Sequence, residues 1–166
     1  MLSRKLSKVP APASIHTEFH RFWKVETVRS TSESTMKEIM FTIDGVDTAL
    51  TPFTKFDLST GSRINVNHGS FDSLFDGIIP TSNTGFYSRG SGNIIAAIDL
   101  GEPKCVTEVL LSPQGSNTST VYNVAKELRF YYSDDNVNWT QTPIEYINLA
   151  QVNWRGSWYK RFATGL

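Results

Sequence analysis

The stretch Ile94-Ile95-Ala96-Ala97-Ile98-Asp99-Leu100 lies between Gly92 and Gly101 and holds the longest unbroken aliphatic run of this 166-residue chain. The run is far shorter than the roughly 20 apolar residues that a helix needs to span a bilayer. Its length and its glycine flanks favour a strand that is buried on both faces. We therefore expect residues 94–100 to form a core strand of a β-sheet.

Apolar and polar side chains alternate elsewhere in the chain, which is the period of a half-buried strand. In residues 22–28, Trp23, Val25 and Thr27 share one face. Further strands are predicted at residues 37–43, 105–112, 128–132 and 157–164, with a weaker candidate at 63–66. A Gly-Glu-Pro-Lys turn is predicted at residues 101–104, before the strand at 105–112. Loops rich in Ser, Thr, Asn and Gly separate these segments. The pattern predicts one all-β domain over residues 20–166, a sandwich or a barrel.

Composition and charge narrow the class of protein. Sixteen Lys and Arg residues balance sixteen Asp and Glu residues, so the formal net charge at pH 7 is zero. A chain without net positive charge lacks the long-range electrostatic attraction to phosphates that drives nucleic-acid binding. A single cysteine, Cys105, permits neither an internal disulfide nor a cysteine-based zinc site. We expect no nucleic-acid partner and no insertion into a membrane.

Residues 1–19 form a basic N-terminal arm outside the predicted domain. The arm carries Arg4, Lys5 and Lys8, and it has no apolar segment of the kind found in secretory signals. Three interpretations stay open: a transit peptide, an arm that orders against a partner, and a disordered tail.

Two short motifs resemble metal sites. His16 and His20 have the spacing of zinc ligands on a helix, but Glu18 does not directly follow the first histidine as metalloprotease chemistry requires. The segment 134–138, with Glu145 at the twelfth position, resembles an EF-hand loop in which Trp139 replaces the essential glycine. We interpret residues 134–138 as a hairpin turn built by Asp and Asn.

Aromatic and guanidinium groups near the loops are the candidate ligand-binding residues. A sugar offers an apolar C–H face and a rim of hydroxyls, which suit a flat aromatic ring and a few charged hydrogen-bonding groups. Filling of the core is the competing role for these aromatics. The candidates are Tyr87, Arg89, Trp154, Arg155 and His68, the last being the only histidine after the first residue of the predicted domain.

Five motifs in order resemble the discoidin domain, also called the F5/8 type C domain, of the galactose-binding-like superfamily. They are Phe75-Asp76-Gly77, Phe86-Tyr87-Ser88, the Ala97–Pro103 segment with its Asp-Leu-Gly, Val106–Leu111, and Leu128–Thr140. The resemblance spans roughly residues 20 to 164. Its start, Arg21–Val25 followed by Met36–Ile39, is similar to discoidin-like domains of phage virion proteins.

Three features depart from the family pattern. The disulfide of secreted vertebrate members is impossible here, Ser133-Asp134-Asp135 replaces the usual Ser-Asp-Gly, and a weakly patterned insertion occupies residues 44–71. The resemblance implies a jelly-roll-like β-sandwich with ligands at loops on one end. It also implies a structural calcium in the Asp-Gly loop, at Asp76 and Thr81.

The function that these observations predict is non-enzymatic binding of a surface glycan by a phage tail or baseplate protein, located in the virion and made in the host cytoplasm. The N-terminal arm would then dock on other virion subunits, and self-association is a further possible contact. The alternative is a purely structural decoration or adaptor subunit. An enzyme acting on glycans needs a pair of carboxylates across the bond, and nothing marks Asp72 and Asp76 as such a pair.

Overall fold

A computed structural model describes residues 18–28, 33–63, 69–78, 87–112, 126–144, 146–147 and 159–166. This part of the chain is built of strands, and its one helical segment is a 3-10 turn at Asp72–Leu74. The strands are β1 His20–Val28, β2 Glu33–Met36, β3 Glu38–Ile43, β4 Val46–Thr48, β5 Thr54–Asp57, β6 Ser62–Arg63, β7 Tyr87–Gly90, β8 Ile94–Lys104, β9 Val106–Ser112, β10 Glu127–Ser133, β11 Thr140–Gln141, β12 Tyr146–Ile147 and β13 Lys160–Ala163.

The strands form three antiparallel sheets. A six-stranded sheet has the order β11-β10-β1-β8-β5, with β12 also paired to β10. A four-stranded sheet has the order β13-β9-β3-β4, and a small sheet has the order β2-β7-β6. The predicted all-β sandwich is therefore confirmed.

The hydrophobic core lies between the six-stranded and four-stranded sheets. Trp23 of β1 meets Phe41 of β3 edge-to-face, with ring centroids 6.3 Å apart. Tyr146 of β12 meets Phe162 of β13 in the same way at 4.9 Å. Such edge-to-face pairs stabilise the core beyond the area that they bury. The alternation in β1 is confirmed, because Trp23, Val25 and Thr27 are all buried.

Strand β8 is longer than the sequence predicts. Residues 94–100 form a strand whose side chains are nearly all buried, as expected. The strand continues through Gly101–Lys104, which sequence reasoning assigned to a turn. Gly101 has φ +78, and the Asp99 carboxylate accepts hydrogen bonds from its N–H and from Arg21 at 2.7–2.8 Å. Asp99 pairs with Phe22 and Lys104 with His20, so residues 100–103 form a bulge in the pairing with β1 where composition alone indicates a reversal.

The insertion at residues 44–71 contributes strands β4, β5 and β6. All three are short, and most of their side chains are exposed. Because a strand that faces solvent on both sides shows no apolar alternation, its sequence gives little signal. The insertion thus supplies the edge strand β5 of the large sheet.

The outer face of the six-stranded sheet carries a cation–π cluster. The Lys24 ammonium lies 4.3 Å from the ring centroid of Tyr131 and 4.5 Å from that of Trp139. We call this group the Lys24 clamp. Across the described ranges, no helix has the length and apolar character needed to cross a membrane.

Candidate functional site

Three of the seven residues predicted to bind a ligand or a metal lie in the part of the chain that the structure describes. Tyr87 and Arg89 are brought together on β7, and Asp76 follows the 3-10 turn in a separate loop. The other four lie outside the described residues: His68, Thr81, Trp154 and Arg155.

Tyr87 and Arg89 meet a residue that the sequence analysis did not select, Asp57 at the end of β5. Residues two apart on a strand project from the same face, which places both side chains of β7 toward Asp57. The Tyr87 hydroxyl donates to Asp57 Oδ2 at 2.5 Å, and Arg89 Nη2 donates to the same oxygen at 2.7 Å. Arg89 Nε also donates to the Tyr87 hydroxyl at 2.6 Å. We call these three residues the Arg89 cluster.

The Arg89 cluster is partly open to solvent. The side chains of Arg89 and Asp57 are 18% and 25% exposed, whereas Tyr87 is only 2% exposed. Arg89 Nη1 donates to the Gly61 carbonyl at 3.0 Å. A guanidinium has five N–H donors, so two remain after its three contacts with described residues. Tyr87 therefore orients the cluster from beneath, and the half-buried Arg89 and Asp57 both reach the surface.

The electrostatics of the cluster keep both partners ionised. Burial by itself would raise the pKa of Asp57, but hydrogen bonds from Ser59, Tyr87 and Arg89 outweigh it and lower that pKa. Burial and the neighbouring Asp57 carboxylate raise the pKa of the Tyr87 hydroxyl to about 12. The hydroxyl thus stays protonated and donates to the carboxylate at physiological pH.

A second guanidinium borders the cluster. Arg63 of β6 is the strand partner of Arg89, and its guanidinium lies 5.9 Å from the centroid of the Tyr87 ring. Arg63 also donates to the Gly69 carbonyl at 2.7 Å. Sequence reasoning placed Arg63 only in a weak strand, because the register that sets it beside Arg89 joins residues far apart in the chain.

Asp76 contacts a second carboxyl group that the sequence analysis also missed, that of Glu38. Glu38 is 2% exposed and accepts the Gly77 N–H at 3.2 Å. Its Oε2 finds no hydrogen-bond partner among the described residues. Burial, the first cause, and the nearby Asp76 carboxyl together raise the pKa of Glu38 to about 9. Glu38 is therefore protonated at neutral pH unless a cation beside it stabilises its charge.

This carboxyl pair fits the chemistry of calcium, which prefers carboxylate and carbonyl oxygens. The unpartnered Glu38 Oε2 is the observation that supports the fit. Within the described ranges, no group of three or more His, Cys, Asp or Glu side chains is placed to hold a metal. Any further ligands would therefore be backbone carbonyls, or Thr81 from outside those ranges.

The hairpin between β10 and β11 bears out the turn interpretation of residues 134–138. The Asp135 carboxylate accepts the backbone N–H groups of Val137 and Asn138, both at 2.8 Å. These bonds lower the pKa of Asp135 well below its usual range. Asp135 is thus occupied in building the turn, while Glu145 and His16 of the two metal-like motifs lie outside the described residues.

Comparison with known proteins adds no family to this geometry. Neither the protein-family models, nor the curated proteins, nor the solved structures that were searched contain a match to the chain.

Proposed function

We propose that this protein is a non-enzymatic carbohydrate-binding module that attaches a phage tail or baseplate to a glycan on the host surface. The observation that carries the proposal is the Arg89 cluster, a partly exposed ion pair held in fixed geometry, in which two guanidinium N–H groups make no bond to a described residue. Carbohydrate sites need such oriented polar groups, because a sugar presents many hydroxyls and little charge.

Binding would proceed without movement of the cluster. Tyr87 and Asp57 fix the plane of the Arg89 guanidinium, so little side-chain entropy is lost when a ligand arrives. The two remaining N–H groups would donate to hydroxyl or ring oxygens of the sugar. The Asp57 carboxylate offsets the positive charge of the Arg89 guanidinium, and this favours an uncharged ligand over a strong anion. Tyr87 acts as a positioning residue, since its ring is buried.

The virion location rests on the phage-like opening of the domain and on the discoidin-like order of motifs, which also favours a jelly-roll connection of the strands. The N-terminal arm, residues 1–19, would dock on a neighbouring subunit. A decoration or adaptor subunit without a ligand is the second candidate, and the ordered ion pairs on the surface are equally compatible with it. Deletion of residues 1–19 should abolish assembly in either case, so only ligand binding separates the two.

The experiment is a glycan array probed with the wild-type protein, Arg89→Ala and Arg161→Ala, followed by calorimetry on any hit. Arg161 is the matched control, because it too pairs with carboxylates, Asp47 and Glu108 at 2.8–3.0 Å, but it lies on β13 of the four-stranded sheet. We expect Arg89→Ala to weaken binding at least tenfold and Arg161→Ala to leave it unchanged. An absence of any bound glycan, or equal affinity of the two variants, would contradict the proposal.

We also propose that Asp76 and Glu38 hold a structural calcium ion. The ion would replace the proton of Glu38 and tie the Asp-Gly loop to the start of β3. Calcium should raise the melting temperature relative to EDTA, and Asp76→Asn should remove that difference. Exposed Asp134→Asn serves as the control, and an identical calcium response in the wild-type protein and Asp76→Asn would exclude this site.

A further inference from the structure

A concave cavity of about 300 Å³ lies at the hairpin between β10 and β11. The hairpin occupies one edge of the six-stranded sheet, whereas Asp57 of the Arg89 cluster lies on β5 at the other edge. The two surfaces are therefore distinct. The residues that line the cavity are Tyr132, Ser133, Asp134, Asp135, Asn138 and Thr140.

One set of hydrogen bonds builds the wall of the cavity and leaves other polar atoms available. The Asp135 carboxylate accepts the Asn138 side-chain amide at 2.7 Å and the Ser133 hydroxyl at 3.0 Å, besides the backbone N–H groups of the turn. Because the NH₂ group of Asn138 is anchored in this way, its carbonyl oxygen is left as an acceptor. Asn138, Asp134 and Thr140 are all exposed.

The aromatic side of the cavity is held rigidly. The ring of His20 stacks on Tyr132 with centroids 3.9 Å apart and an interplanar angle of 17°. His20 Nδ1 lies 3.0 Å from Asp134 Oδ1, which fixes that carboxylate beside the ring. Trp23, itself buried, donates to the His20 carbonyl at 3.1 Å. The cavity is thus formed before any ligand binds.

The polar atoms that remain are mainly acceptors. Asp134 Oδ2 and the Asn138 carbonyl oxygen make no hydrogen bond with a described residue, and the hydroxyl of Thr140 can donate or accept. A ligand for this set must bring donors that are close together. Vicinal hydroxyls of a sugar do so, and Tyr132, which is stacked on His20, supplies the apolar border of the same cavity. A volume near 300 Å³ is at the lower limit for small-molecule sites, which suits one sugar ring.

We infer that this cavity is a binding site for a single neutral sugar residue, whose vicinal hydroxyls donate to Asp134 and Asn138 beside the ring of Tyr132. The site is separate from the Arg89 cluster, and sugar binding here does not depend on whether the Arg89 cluster binds a glycan. If both sites bind sugar, one domain engages a glycan surface at two points, and avidity would exceed the affinity of either site.

The test is titration of the ¹⁵N-labelled full chain with galactose, mannose and N-acetylglucosamine, followed by NMR. At least one sugar should shift the amide signals of residues 133–140. Asp134→Asn should weaken this binding at least tenfold, and Thr140→Val should weaken it by a smaller factor. Asn136→Gly is the matched control, because Asn136 has φ +59 in the same hairpin but does not line the cavity.

The outcomes separate the alternatives. Sugar shifts that persist in Arg89→Ala but are lost in Asp134→Asn support the cavity site, even if the Arg89 cluster binds nothing. Putrescine, a diamine without hydroxyls, tests whether the acceptors select a cation. Shifts with putrescine and none with the sugars would overturn the inference, as would equal sugar binding by Asp134→Asn and Asn136→Gly. The spectra themselves show whether each variant is folded, and Thr140→Val replaces Asp134→Asn if the latter is not.

Discussion

Gly61→Ala is expected to destabilise the fold much more than Gly101→Ala, although both glycines have nearly the same positive φ, +72 and +78. A β-carbon on Gly101 would meet nothing within 4 Å. A β-carbon on Gly61 would collide with the carbonyl oxygen of Gly90 and lie 2.8 Å from the Gly92 nitrogen. The bend at Gly61 therefore packs backbone to backbone against the Gly90–Gly92 bend.

The contrast between the two sites separates conformational strain from collision. The left-handed conformation costs an alanine about 1–2 kcal/mol, and this cost applies at both positions. Overpacking adds about 1–3 kcal/mol more where the neighbours cannot move, which applies at Gly61 alone because the obstructing atoms are backbone. We expect a loss of about 1–2 kcal/mol for Gly101→Ala and about 2–5 kcal/mol for Gly61→Ala.

Urea denaturation at neutral pH measures both losses as changes in the free energy of unfolding. The Gly61 carbonyl accepts a hydrogen bond from Arg89, so Gly61→Ala should also reduce glycan binding where Gly101→Ala does not. Equal losses of stability in the two variants would show that the two bends are not in contact, and would refute the packing described here for the Arg89 cluster.

Three further predictions concern stability. Hydrogen bonds lower the pKa of Asp57, so its carboxylate stabilises the fold above the ordinary pKa of 3.8 and loses this contribution as the pH falls further. Asp57→Asn should therefore flatten the acid side of a curve of unfolding free energy against pH. An unchanged slope would contradict this prediction. Lys24→Ala removes both contacts of the Lys24 clamp and should cost about 1–2 kcal/mol in urea denaturation, whereas no loss would mean that the clamp is not populated. Phe41 lies in the core at 0% exposure, and Phe41→Ala should lower the free energy of unfolding by about 3–5 kcal/mol. Phe56 is 37% exposed, and Phe56→Ala should lower it by less than about 1 kcal/mol. Similar melting temperatures for the two variants would contradict the core assignment.

The strands that the sequence predicts well are those with one buried face. In β1, the alternation of Trp23, Val25 and Thr27 reports burial directly, because one side of the sheet packs on the core. Strand β5 escapes detection since Thr54–Asp57 is short and mostly exposed. The turn predicted at residues 101–104 takes the form of a bulge inside β8, because the chain re-pairs with β1 at Lys104, which composition cannot show.

The candidate site depends on contacts that composition cannot supply. Tyr87 and Arg89 have the residue types expected of a sugar site, but the role of Tyr87 is decided by burial, and a ring that is 2% exposed cannot stack on a ligand. Asp57, which fixes both side chains, is 30 residues away in sequence from Tyr87, and only the sheet register brings it there.

The same limit applies to the hairpin that holds the proposed sugar cavity. Asp134 and Asp135 are neighbours of the same residue type, and both are ordinary turn formers by composition. The structure separates them, because Asp135 is occupied by the hydrogen bonds of the turn whereas Asp134 keeps a carboxylate oxygen available beside Tyr132. Residues that build a turn and residues that bind a sugar have the same chemistry, so the difference lies in which acceptors the fold has already used. An inference of function from such a loop therefore has to begin with its hydrogen bonds.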